Sequence, residues 1–191
     1  MSNIAIFASG TGSNARKIIH YFSRTESPVH VKLIVSNKQD SGVINIAKEN
    51  NIRFQIANDE NLNSQSFIND LRFNDIDWII LAGFLRKIPG RLISNYKNRI
   101  INLHPSLLPK YGGKGMYGKH VHQAVIENKE IESGITIHLV NEEFDQGEIL
   151  FQTSCKVLIN DDAHSLAKRV QQLEHRYYPL VIEKQINKSR V

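Results

Sequence analysis

The chain has 191 residues, of which 41% are hydrophobic and 23% charged, with a formal net charge of +5. That length supports one well-buried core and is short for two, the composition is ordinary for a soluble globular protein, and no stretch approaches the roughly 20 apolar residues that cross a bilayer. The basic residues are scattered and only mildly enriched over residues 184–190, so there is no focused stripe with interleaved aromatics to suggest nucleic acid, and attraction of a small anionic substrate explains the surplus equally well.

The first eight residues lack the basic region and length of a signal peptide and read instead as a buried strand over residues 3–8. Helical spacing follows over 14–22, then a strand over 31–36, a helix over 42–50 and a strand over Arg53–Ile56. A helix over 64–73 leads to apolar strands over 78–82 and 100–103. Strand–helix alternation with nearly all-apolar strands predicts a parallel sheet covered on both faces. After residue 111 the pattern changes. Residues 112–118 form a glycine-dense loop, a short helix is predicted over 120–128, and two alternating strands, 134–140 and 149–157, flank a turn-like segment at 141–147. Residues 163–188 read as one long amphipathic helix, bent or interrupted at Pro179. The expected architecture is α/β: a mostly parallel, Rossmann-like sheet with an added antiparallel strand pair and a long C-terminal helix, in one domain over 1–191. The lone cysteine, Cys155, cannot form an internal disulfide, which fits a reducing cytoplasm, and it reads as an inert core thiol.

Between the first strand and first helix stands Ser9-Gly10-Thr11-Gly12-Ser13-Asn14. Glycines allow a sharp turn, and a helix N-terminus offers unpaired amides at the positive end of a dipole, a junction suited to phosphate. Gly10-x-Gly12-x-x-Ala15 also fits the dinucleotide fingerprint, but that fingerprint needs an acidic residue after the second strand. Ser36-Asn37-Lys38 stands there. A monophosphate turn is therefore preferred, and a plain tight turn capped by Ser13 or Asn14 is the simpler alternative.

The strand over 100–103 ends by presenting Asn102 and His104. Residues i and i+2 share a face of a strand, so an amide donor and a group titrating near neutrality face one point before Pro105 stops the ladder. That pairing suits stabilising an oxyanion while moving a proton, the chemistry of acyl transfer. Asp145, in the turn between the two late strands, is the candidate carboxylate. An aspartate beside Gly147 in a turn is commonly only turn chemistry, but a loop hanging over His104 would orient its ring and raise its pKa above about 6.5. His120 and His122 lack a third metal ligand. His20, His30, His138, His164 and His175 read as surface or strand residues, with a supporting role open to His175 beside Glu174. Trp78, Phe84 and Phe144 read as packing groups.

The segments Ser9–Asn14, Ser36-Asn37-Lys38, Leu81 to Arg86, Asn102 to Tyr111, residues 134–140, Asp145-x-Gly147 and Gln172-x-Glu174-His175 resemble the phosphoribosylglycinamide formyltransferases of purine synthesis over nearly the whole chain. The resemblance implies a single-domain formyltransferase whose N-terminal half binds the ribonucleotide phosphate and whose C-terminal half binds folate and carries the chemistry. It implies transfer of the formyl group of 10-formyltetrahydrofolate to the amino group of glycinamide ribonucleotide, without metal, nucleic acid or membrane, by a cytoplasmic monomer or weak homodimer. Asn102, His104 and Asp145 match the catalytic set, with Asp145 acting through an ordered water. Gly12, Ser13 and Asn14 match the phosphate turn, and Glu174 the carboxylate at the glycinamide end. Leu85, Arg86, Lys87 and Ile88 match the segment bordering the pterin. Asn141, Glu142, Glu143, Phe144 and Asp145 match the loop that closes over it, where Phe84 also borders, and His120 or His122 lines the site. The chain departs from the family twice: about five extra residues near 113–117, in a loop mobile in the family, and Ser64 or Gln65 where a folate-contacting arginine is expected. A formyltetrahydrofolate deformylase carries an extra N-terminal domain and a methionyl-tRNA formyltransferase a C-terminal RNA-binding domain, neither of which is expected here. A non-catalytic nucleotide- or nucleic-acid-binding module is the alternative of another class.

Overall fold

The computed structural model describes residues 1–189; Arg190, part of the mildly basic segment, lies outside the described residues. In chain order the elements are β1 (Ser2–Phe7), α1 (Ser13–Arg24), β2 (Val29–Ser36), α2 (Gly42–Glu49), β3 (Arg53–Ile56), α3 (Asp59–Leu62), α4 (Gln65–Phe73), β4 (Trp78–Leu81), α5 (Gly90–Asn95), β5 (Ile100–His104), α6 (Lys119–Glu127), β6 (Glu132–Leu139), β7 (Ile149–Lys156) and α7 (Ala163–Lys188). They build one seven-stranded sheet in the order β3-β2-β1-β4-β5-β6-β7. The first five strands in that order are parallel, and β6 and β7 are added antiparallel. The expected α/β architecture is the one observed.

Period-two alternation explains how apolar strands carry helices on both faces. Ile4 and Ile6 of β1, Trp78 and Ile80 of β4, and Ile101 and Leu103 of β5 pack with α1, α2 and α7. Their neighbours Ala5, Phe7, Ile79, Leu81 and Ile100 pack with α4 and α5. The long helix α7 is pinned beneath the sheet by Tyr178, whose buried hydroxyl lies 2.9 Å from the Leu81 carbonyl and 3.1 Å from that of Ile101. It runs through Pro179 without the interruption expected there, with Pro179, Val181 and Ile182 all buried. Proline removes one helical N–H, and the burial around it offsets that loss. Cys155 is half-buried on β7, where it packs against the core cluster from its margin. Among the described residues no helix is long and apolar enough to cross a membrane.

Strand order reverses between β1 and β4, since β1 leads outward to β2 and β3 while β4 leads the other way to β5. Such a switch point opens a crevice beyond the carboxyl ends of the strands, where ligands of open α/β sheets bind. The turn after β1 and the segment after β4 border that crevice, and β5 ends beside it.

Candidate active site

A cavity of about 400 Å³ occupies the crevice, with Asn102, His104, His138, Asp145 and Glu174 in its wall. The polar cluster begins with β5. Asn102 and His104 share one face of the strand, opposite to Ile101 and Leu103, which point into the core. Across the ladder, Asn102 pairs with His138 and His104 with Thr136, so four polar side chains form one patch.

Hydrogen bonds assign the ring tautomers. His138 Nδ1 lies 2.8 Å from the Leu139 carbonyl, to which it donates, so its Nε2 accepts from Asn102 Nδ2 at 3.1 Å. The second amide proton of Asn102 is left for the cavity. His104 Nε2 donates to the Tyr111 carbonyl at 2.7 Å, which leaves Nδ1 facing Asp145 Oδ2 at 3.5 Å. Asp145 Oδ2 accepts from the Gly113 N–H at 2.9 Å, and Oδ1 stands 3.6 Å from His138 Nε2, beyond hydrogen-bond length.

The His104 ring corrects the expectation of a raised pKa. Burial, which disfavours the cation, outweighs the attraction of Asp145 and the Tyr111 carbonyl, and the His138 ring adds to the lowering, so the pKa lies below 6.5. Burial would raise the Asp145 carboxyl, but His138, His104 and the Gly113 N–H together hold it below its ordinary value. Neutral imidazole beside carboxylate is thus the resting state near neutrality.

The turn after β1 places its residues in two ways. Gly12 is the N-cap of α1 in the left-handed conformation, φ 78°, and no side chain caps that end among the described residues. The capping alternative for Ser13 and Asn14 therefore does not hold. A Cβ on Gly12 would lie 2.7 Å from Ile46 Cδ1 of α2, so glycine serves both the backbone and the close approach. Asn14 and Glu174 line the cavity and bond to each other, Nδ2 to Oε2 at 2.7 Å. Burial raises the Glu174 carboxyl despite this amide, and Asn14 Oδ1 is buried with no hydrogen-bond partner among the described residues. Ser13 lies just outside the wall, held by Gln171 at 3.2 Å.

Leu85, Arg86, Lys87 and Ile88 line the cavity from one side and Asn141, Glu142, Glu143, Phe144 and Asp145 from another. Lys87 Nζ sits 5.1 Å from the Phe144 ring centroid, linking the two segments. The Leu85 N–H donates to Ser9 Oγ at 2.8 Å, and Ser9 Oγ donates to Asn37 at 2.6 Å, which ties the segment after β4 to the turn after β1. Ser64 is occupied as the N-cap of α4, accepting from the Phe67 N–H. Gln65 bonds Asn69. His120 is exposed on α6, while His122 is buried, with its pKa pushed down to about 4 by burial and the His104 ring.

His138 is the residue that sequence reasoning missed, having been expected as a plain strand position. Its signal lay in the strand itself: Thr136 and His138 are polar at i and i+2 between Ile135, Ile137 and Leu139. That mirrors Asn102 and His104.

A mostly parallel α/β sheet with an amide, a neutral imidazole and a carboxylate around one switch-point cavity defines a group-transfer type of protein. Residues 2–182 match the Formyl transferase family, and the chain belongs to that family. It is 42% identical over 185 residues to the chloroplastic phosphoribosylglycinamide formyltransferase of Arabidopsis thaliana, covering 94% of this chain and 63% of that one. A second plant relative, from Vigna unguiculata, is 42% identical with 59% of its length covered, so the chain spans about six-tenths of these two proteins. The Escherichia coli phosphoribosylglycinamide formyltransferase is 33% identical over 94% of this chain and 85% of its own. Among solved structures, that of the phosphoribosylglycinamide formyltransferase from Bacillus halodurans superposes with a TM-score of 0.88 at 31% identity, covering 98% and 97% of the two chains.

Proposed function

We propose that this chain transfers the formyl group of 10-formyltetrahydrofolate to the amino group of N1-(5-phosphoribosyl)glycinamide, a step of purine biosynthesis, with both molecules as substrates and no metal required. The observation that carries the reading is His104 Nδ1 facing Asp145 Oδ2 at 3.5 Å beside Asn102 in one cavity. The names of the relatives supply the acceptor and the formyl group, and the sequence resemblance supplies the folate donor.

Gly12, Ser13 and Asn14 hold the ribonucleotide phosphate at the start of α1, and Glu174 contacts the glycinamide end. Residues 85–88 and 141–145 flank the pterin. The amine nitrogen attacks the formyl carbon, and the carbonyl π electrons move onto oxygen. The free amide proton of Asn102 stabilises that oxyanion, an interaction worth about 100- to 1,000-fold in rate. His104 enters neutral, takes the amine proton at Nδ1, and is held as imidazolium by Asp145. The proton then passes to the folate N10 as the N10–carbon bond breaks and the carbonyl re-forms. The proposed compartment is the cytoplasm, which suits a chain with a single cysteine.

Absorbance of the released folate, with and without glycinamide ribonucleotide, tests the reading. Release only with the nucleotide is expected. Release without it would mean hydrolysis, and release in neither case would reject formyl transfer.

A further inference from the structure

Two side chains of the cavity depend on one short piece of backbone. His104 Nε2 donates to the Tyr111 carbonyl at 2.7 Å, and two residues on, the Gly113 N–H donates to Asp145 Oδ2 at 2.9 Å. Residues 111–113 therefore orient the imidazole and the carboxylate together. Immediately beyond lies the glycine-dense loop, with positive φ at Gly113, Gly115 and Gly118, a stretch whose backbone offers little resistance to rotation.

Tyr111 itself has φ 56°, the left-handed region that a bulky side chain rarely adopts. Something must hold it there. Its phenol donates to Glu130 Oε1 at 3.0 Å. Glu130 also receives Lys110 Nζ on both oxygens, at 3.0 and 3.1 Å, and the Lys110 carbonyl accepts from Ser106 Oγ at 2.6 Å. The carboxylate thus gathers two consecutive residues at the root of the loop, from a position just beyond α6 and outside the cavity wall.

We propose that Glu130 is a positioning residue for the reaction: by anchoring the Tyr111 phenol it fixes the carbonyl that selects the Nε2–H tautomer of His104 and turns Nδ1 toward Asp145. This deepens, and rests on, the formyl-transfer reading.

The groups facing the His104 ring are Asp145, His138 on β6 and His122 on α6. The Tyr111 carbonyl favours the protonated ring, against burial. Releasing the carbonyl therefore moves the ring's titration to lower pH, and the Nε2–H tautomer loses its preference.

The test uses the full chain with Tyr111→Phe, Glu130→Ala and Glu130→Gln. Tyr111→Phe and Glu130→Ala are expected to lower kcat about tenfold, as loss of groups that orient a reacting side chain commonly does, while KM for either substrate moves less than about twofold. Glu130→Gln keeps an acceptor for the phenol and is expected to retain kcat within about twofold. Nitrogen-15 imidazole spectra, with the His104 resonances identified by His104→Gln, should show the single Nε2–H tautomer in the native chain and in Glu130→Gln. In the other two variants the tautomer should be mixed and the titration shifted down. Native kcat together with a native His104 tautomer in Tyr111→Phe and Glu130→Ala would overturn the proposal, as would lost thermal stability with kcat intact. Should Tyr111→Phe not fold, Glu130→Ala decides. A native chain that transfers no formyl group would reject the reaction instead, and the spectra would still judge the anchor.

Discussion

Asn102 has two amide protons, and His138 accepts one of them, so the strand partner decides where the other points. In His138→Phe the ring volume remains but the acceptor is gone, and the Asn102 amide is free to rotate. kcat is expected to fall about 10- to 100-fold, with smaller changes in KM; an unchanged kcat in steady-state assays would show that Asn102 needs no such support. His104 is a base whose burial keeps it neutral. The protonated ring cannot accept the amine proton, so kcat/KM should decline as pH falls through the His104 pKa, and that acid limb should lie below the ordinary 6.5. His104→Ala should lose at least about 100-fold in kcat. Asp145→Asn should do likewise and carry the remaining acid limb to still lower pH, because it removes the attraction that favours the cation. A limb above 6.5 in a pH–rate profile of the native chain would contradict this account of the site.

At the scale of elements, the antiparallel addition of β6 and β7 brings His138 and Asp145 to β5. Gly147 makes that addition possible, since a Cβ there would lie 1.7 Å from the Leu139 carbonyl oxygen and 2.7 Å from its carbon. Backbone cannot yield as a side-chain tip can. Gly147→Ala should cost about 2–3 kcal/mol of stability and displace the loop carrying Asp145, so urea unfolding and kcat should both respond. Tyr178→Phe, by contrast, should cost about 1 kcal/mol and change kcat far less than the His104 or Asp145 variants, because its hydroxyl bonds the Leu81 and Ile101 carbonyls rather than a cavity group among the described residues. The sequence makes the long elements legible: β1, β4 and β5 are too apolar to be anything but covered strands, and the two late strands alternate cleanly. It does not reveal α3, with four residues, or α5, with six, because neither is long enough to show a helical period. Their signals are local ones, the Asn58 capping box and Pro89 at the N-cap. Asn102 and His104 are readable because both lie on one strand. His138 is readable only as a polar position on an apolar strand, because its role comes from a ladder register between segments 36 residues apart, and periodicity carries no register between strands. The direction of the His104 pKa was hidden for a related reason: the carboxylate neighbour is visible as a residue type, whereas the depth of burial is a property of the folded molecule.

Across the whole molecule, the buried histidines set the response to acid. Unfolded, the His122 ring takes its proton near pH 6.5; folded, it does so only near about 4, because it is buried in α6 with Nδ1 unpartnered among the described residues. The unfolded chain binds more protons throughout that window, so stability falls as pH drops from 6.5 toward 4. His104 and His175, both lowered by burial, pull in the same direction. Glu174 opposes them, since its raised carboxyl takes a proton more readily in the folded state. A fully expressed shift at His122 corresponds to about 3 kcal/mol, a large share of the roughly 5–15 kcal/mol that holds a typical domain together. The chain should therefore unfold at distinctly lower urea concentration at pH 4.5 than at pH 7. His122→Phe, which keeps an aromatic ring in the same pocket without a titrating group, should flatten most of that slope. If urea titrations of His122→Phe at the two pH values separate as widely as those of the native chain, the acid sensitivity belongs to the remaining groups and the burial of His122 is not its source.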